Sequence, residues 1–290
     1  PWIRVPVVAL ADDEYREFYG KNWKQIIKVR VARANAILKQ AGILLEVEGM
    51  GPWVSTRSAS NLSQLLDQLA SVPRQKENRL RIGFTQQTQL GVEFHREIED
   101  VGRAYVPGRD LLVADQAVPP GHQPNWDIAE EGVAIAHEVM HAFGVPHQQV
   151  PFHLMSDSKV GTVHKMSKTT IALARTAANA RFSHWDNNAT LESLGHAAER
   201  NLKDPNHQID YIAENFAYGS RNLQISPIEP GRLSALNNLA IGHYYLRQAL
   251  KNPRSSNRLA RRALVHTESA LAKKPSWLAA NQLKEAIMSL

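Results

Sequence analysis

The chemistry in this chain is concentrated in eleven residues, His137-Glu-Val-Met-His-Ala-Phe-Gly-Val-Pro-His147. On a helix, His137 and His141 lie one turn apart on the same face. Two imidazoles so placed can present nitrogens to a single metal ion. Glu138 stands beside them, where a carboxylate can take a proton from a metal-activated water. Gly144 falls where the helix must stop, and glycine tolerates the left-handed backbone that ends helices. The turn it permits can bring His147 back as a third nitrogen donor. Three protein ligands leave a fourth position open to water, which is the pattern of a catalytic zinc site.

Eight residues beyond His147 stands Met155, in the stretch Pro151-Phe-His-Leu-Met-Ser156. Together, H-E-x-x-H-x-x-G-x-x-H and this methionine resemble the metzincin clan of zinc endopeptidases, with the methionine spacing of its matrixin branch. The resemblance implies a Zn2+ ion held by His137, His141 and His147. It implies Glu138 as general base, and Gly144 and Met155 as structural residues of the site, the methionine in a tight turn beneath the imidazoles. It also implies an extended polypeptide substrate paired with an edge strand above the active-site helix. Gly102, Arg103, Ala104 and Tyr105 are the candidates for that strand. Asp157 stands where the astacin and serralysin branches carry a tyrosine, which sets the chain apart from them.

Other histidines are weaker candidates. His95 lies among Glu93, Glu97 and Glu99 and His122 in a proline-rich loop, so both are expected at solvated surface. His153, two residues before Met155, could support the ligands from behind, but as a fourth protein ligand it would close the site.

The elements that must position these residues follow from hydrophobic spacing. Residues 3–10 predict a valine-rich strand, with Pro6 best placed if that strand is short or its first half lies at an edge. Asp12 and Asp13 suggest a polar turn. Trp23, Ile27, Val31, Ala34 and Leu38 predict a helix over 22–41, with Asn22 as N-cap and Gly42 as stop. A second strand at 43–47 would complete a parallel crossover unit. Leucines at 62, 65, 66 and 69 predict a short helix over 61–70, and 79–84 predicts a third, alternating strand. Segments 101–105 and 111–114 flank Pro107-Gly-Arg-Asp110 and predict a hairpin. The metal-binding motif sits on a helix over 128–143. Residues 156–163 should wall the pocket for the substrate side chain that follows the scissile bond. A further helix is expected over 165–182, and two more over 189–202 and 208–218.

Prolines 227 and 230 with Gly231 mark a boundary. Beyond it, helices are expected over 233–250, 258–272 and 276–289. Leu236, Leu239, Gly242 and Tyr244, then Ala263, Ala270 and Pro275, resemble one imperfect tetratricopeptide repeat. One repeat cannot bury its own face, so this region is expected to be an appendage that packs on the catalytic domain. The fold class is α+β. A metzincin-like catalytic domain with a twisted mixed sheet spans 1–226, its upper half about 1–147 and lower half about 148–226, and an all-helical appendage spans 227–290.

Composition sets limits. The chain has 290 residues, 43% of them hydrophobic and none of them cysteine. Disulfides and cysteine-zinc sites are therefore excluded. No apolar run is long enough to span a membrane. The net charge is +6. Basic residues are distributed along the chain, densest at Arg254 to Arg262, where a solvated helix face is expected, not a nucleic-acid site. The first residue is Pro1, and a secreted or periplasmic protein that has lost an export signal is expected.

The expected function is a zinc-dependent endopeptidase acting on protein or peptide substrates. Two alternatives stay open: a selective metalloprotease toxin or effector, and a zinc-stabilised binding protein that recruits a protein partner through its helical tail.

Overall fold

The computed structural model describes residues 2–56, 59, 61–74, 79–86, 102–104, 108–114, 128–145, 147, 153–156, 164–183, 230–232 and 235–290. They belong to two compact units, Pro1–Ser183 and His184–Leu290. The expected boundary at 226/227, the helices over 189–202 and 208–218, Tyr105, Asp157, the 156–163 wall beyond Ser156, and His95 and His122 all lie outside the described residues.

Among its described residues the first unit has five strands: β1 (Ile3–Ala11), β2 (Ile43–Pro52), β3 (Leu80–Thr85), β4 (Gly102–Ala104) and β5 (Asp110–Ala114). Their order across the sheet is β2-β1-β3-β5-β4. All neighbours are parallel except β4, which runs antiparallel to β5 at the edge. With helices on both faces this is a mixed sheet in an α+β fold. Pro6 sits as its chemistry requires. β3 pairs with β1 only from Val7 onward, so among the described residues the half of β1 that contains the proline has one strand neighbour, β2.

Between β1 and β2 the sequence predicts one helix, and the structure contains two: α1 (Asp13–Tyr19) and α2 (Trp23–Leu38). Asp12 is not a turn residue. It is the N-cap of α1, its carboxylate accepting the Tyr15 amide at 2.8 Å. Asn22 lies in a 3-10 turn and makes no side-chain cap to α2. Arg30 explains why α1 holds its place. Its buried guanidinium donates to the hydroxyls of Tyr15 and Tyr19 and lies 5.2 and 5.1 Å from their rings. Gly42, at φ +65°, ends the segment as expected.

α3 (Leu62–Ser71) starts at Asn61, whose side chain accepts the Gln64 amide at 3.0 Å. Its Leu65, Leu66 and Leu69 pack with Leu10, Trp53 and Leu112 on one face of the sheet. β3 departs from the expected alternation because all six residues are buried. A strand between two others and covered on both faces has no solvent side. Its charged Arg81 is accommodated by Asp110 at 2.6 Å and by the carbonyls of Val72 and Ala70 at the end of α3.

α4 (Ile128–Ala142) packs against α2 and against β4 and β5. The two helices meet closely at Gly132, where a Cβ would lie 2.6 Å from the Arg33 Cβ. α5 (Lys168–Ser183) packs against β1, and Arg175 donates to the Ala41 carbonyl at 2.8 Å.

The second unit contains α6 (Ala235–Lys251), α7 (Ser256–Lys273) and α8 (Leu278–Met288). α6 and α7 form an antiparallel-type hairpin joined by Asn252 and a 3-10 turn at Pro253–Ser255. A Cβ on Gly242 would fall 2.7 Å from the Thr267 hydroxyl and 3.0 Å from Leu283. That glycine is thus the point of close helix approach, in keeping with the repeat-like pattern. Arg254, Arg258, Arg261 and Arg262 are exposed, as a solvated face should be. Among the described residues, no helix is long and apolar enough to cross a membrane.

Candidate metal centre

α4 carries the first two histidines into the interior: His137, Glu138 and His141 are all at least 94% buried. The helix ends in a Schellman turn. The Gly144 amide donates to the His141 carbonyl at 2.7 Å, and the Val145 amide to the Met140 carbonyl at 3.0 Å. Gly144 itself takes φ +80°, a conformation that an L side chain rarely adopts. The chain reverses there, and His147 returns to its predecessors. Its Nε2 lies 3.1 Å from Nε2 of His137 and 3.1 Å from Nε2 of His141.

Backbone carbonyls fix which nitrogens point inward. Nδ1 of His137 lies 2.7 Å from the Leu154 carbonyl, and Nδ1 of His141 lies 2.8 Å from that of Val145. A carbonyl oxygen only accepts, so each Nδ1 carries the proton and each Nε2 presents a lone pair. His147 can donate one Nε2 proton to at most one of its two neighbours. The other neighbour's lone pair would then face that nitrogen with no proton between them.

A cation at the centre resolves this. Nitrogens each about 2.05 Å from a tetrahedral zinc stand about 3.3 Å apart, close to the observed 3.1 Å. The three ligand atoms all lie within 4.8 Å of one another. Protonation does not compete at neutral pH. Burial, with the charges of the neighbouring histidines, holds His141 well below the ordinary histidine range, and burial holds His147 down at about 4. The donor set therefore fits a metal ion such as zinc.

The turn at His153–Ser156 lies against the site through its Leu154 carbonyl. The Ser156 amide donates to the His153 carbonyl at 3.0 Å, and Met155 within the turn is fully buried. The same turn supplies the Leu154 carbonyl that holds His137. It is anchored in turn by the Leu154 amide, which donates to the Lys165 carbonyl at 2.7 Å. His153 is not part of the metal-ligand group.

On the other side, β4 lies directly against Glu138. A Cβ built on Gly102 would fall 2.5 Å from Glu138 Cγ and 2.8 Å from its Oε1. Glycine is therefore what allows the strand to approach that carboxylate. The loop before β5 is tied to the helix as well, the Gly108 amide donating to the Ala142 carbonyl at 3.0 Å. β4 ends the sheet order, so its outer edge has no strand partner among the described residues. Arg103, in the middle of β4, is exposed.

No family model matches this chain, and no curated protein matches it. Solved structures do show distant likenesses. Archaemetzincin from Methanopyrus kandleri is 17% identical over 60% of this chain and 95% of that one, with a TM-score of 0.45. A structure described as a chaperone-substrate complex is 10% identical over 63% of this chain, with a TM-score of 0.45. This chain matches 34% of that second chain's length.

Sequence reading placed the three histidines, Glu138, Gly144 and the edge strand in one neighbourhood, and the geometry brings them together. It missed the carbonyls of Leu154 and Val145, because backbone atoms leave no signature in residue type. It missed the clearance that Gly102 gives Glu138. A glycine opening a short predicted strand was the available signal.

Proposed function

We propose that the protein is a zinc-dependent endopeptidase. The observation that carries this reading is the convergence of three imidazole nitrogens, those of His137 and His141 held unprotonated by backbone carbonyls at their Nδ1 atoms. His137, His141 and His147 would hold one zinc ion. Bound there, zinc would supply Lewis acidity toward a water and the scissile carbonyl.

The chain's own groups supply the rest. Glu138, one residue from His137 and buried beside the triad, accepts a proton from the attacking water as its oxygen bonds to the carbonyl carbon. As the C–N bond breaks, the same carboxyl returns that proton to the leaving amine. The outer edge of β4 offers backbone donors and acceptors to an extended peptide, next to Glu138. That edge favours a polypeptide over a small hydrolysable molecule. Gly144 and the 153–156 turn keep the imidazoles in place, as a preorganised site requires.

The test is cleavage of denatured casein by the metal-repleted protein, with and without a chelator, beside Glu138→Gln. Chelator-sensitive cleavage is expected, and the variant should keep its metal while losing about 10²–10⁴-fold in kcat. Turnover at the wild-type rate by Glu138→Gln would overturn the role given to the carboxylate. A bound metal with no cleavage of any polypeptide would move the reading to a binding protein.

A further inference from the structure

We propose that Arg103 determines specificity, selecting substrates that carry a carboxylate beside the scissile bond. This rests on the peptidase reading above and names the substrate feature that the same site prefers.

Position is the first support. Arg103 is the central residue of β4, paired with Leu112 of β5 on one side. Its other side is the outer edge, where no strand pairs among the described residues. Gly102, its neighbour, touches Glu138. A peptide laid along that edge places side chains about 4.5–5.5 Å from those of β4. The arginine thus stands one residue from the point where the carboxylate acts.

Charge is the second. Elsewhere in this unit, arginines near the sheet have carboxylates. Arg81 and Arg74 share Asp110, and Arg79 meets Glu48 at 2.5 Å. Arg103 has no ion pair among the described residues, and it is exposed. With a metal ion bound at the triad, Arg103 would be a second cation near it, an unfavourable pair in the absence of an anion. An anionic group on the substrate, arriving at the edge strand, relieves both. Guanidinium also matches a carboxylate in geometry, with two parallel N–H donors.

The carboxylate has two sources in a peptide: an Asp or Glu side chain, or the free C-terminus. The experiment separates them. Matched peptides are made from a casein sequence that the protein cleaves, with Glu, Gln or Lys at each position flanking the cut. A second set ends close to the cut as free acid or as amide. Values of kcat/KM are measured for the metal-loaded wild type, Arg103→Gln and Arg103→Glu, with metal content and circular dichroism checked for each. The wild type should favour Glu over Gln roughly three- to tenfold. Arg103→Gln should bring the two rates together, and Arg103→Glu should turn the preference toward Lys. A preference for free acid over amide that vanishes in Arg103→Gln would assign the carboxylate to the substrate terminus. Cleavage by the wild type without carboxylate preference, or a preference that survives Arg103→Gln, would overturn the inference alone. Failure to cleave any of the peptides would overturn the peptidase reading and the inference with it.

Discussion

Two buried polar clusters in the first unit have opposite characters. Arg74, Arg81 and Asp110 complete one another. Asp110 accepts from both arginines, and the remaining Arg81 donors go to the Val72 and Ala70 carbonyls. Burial pulls the Arg81 pKa down and the neighbouring Asp110 charge pulls it back up. Nothing further is needed there, and the cluster fastens the end of α3 to β3 and β5. His137, His141 and His147 do not complete one another. The outer nitrogens of His137 and His141 are satisfied by carbonyls, and the inner nitrogens of all three face each other. A polar cluster closed on itself is architecture, whereas one whose acceptor nitrogens converge on a point is a site for a ligand.

Substitution should separate the two. The largest effect on activity is expected at the open cluster, where Glu138→Gln removes turnover and leaves thermal stability near that of the wild type. At the closed cluster the order reverses. Asp110→Ala leaves two guanidinium groups buried without their carboxylate, and should cost about 3–5 kcal/mol in urea denaturation. If Asp110→Ala lost activity while unfolding at the wild-type urea midpoint, the distinction between the clusters would collapse.

A smaller effect is expected at Asp12, a third kind of buried polar group. Its carboxylate caps α1 and accepts from the Thr85 hydroxyl, with Ser55 Oγ 3.5 Å away. Burial nevertheless raises its pKa from 3.8 to about 6, outweighing the hydrogen bonds with Thr85 and Tyr15. An acid whose folded pKa is raised binds its proton more tightly in the folded state. Its contribution is therefore most favourable at low pH and is lost as pH rises from about 4 to about 6. The full cost above that window is on the order of 3 kcal/mol. Asp12→Asn keeps a capping side chain and should flatten this slope. Urea midpoints of the metal-free proteins at pH 4.5 and pH 7 measure it. An equal pH dependence in wild type and variant would remove Asp12 as its source.

The closed and open clusters also differ in how visible they were in the sequence. The open one is local. His137, Glu138, His141, Gly144 and His147 span eleven residues, and helix geometry alone predicts that they meet. The hairpin of β4 and β5 was legible from its turn residues, and so was the edge position that makes Gly102 and Arg103 interesting. The closed cluster joins positions 74, 81 and 110, which only the sheet order brings together. Arg81 made β3 look half-exposed, because a charge in a strand ordinarily marks a solvent face. α1 was hidden for a similar reason. Its cap, Asp12, looked like turn chemistry, and the helix is held by Arg30, fifteen residues beyond Tyr15. Tertiary partners decided these elements, and spacing carries no record of them.

The most direct test of the central claim is zinc content per chain, by elemental analysis after repletion and dialysis, for wild type and His141→Ala. One zinc per wild-type chain, and loss of most of it in the variant, is the predicted result. A wild-type chain that retains no metal, or a His141→Ala chain that retains a full equivalent, would contradict the three-imidazole centre on which the functional reading stands.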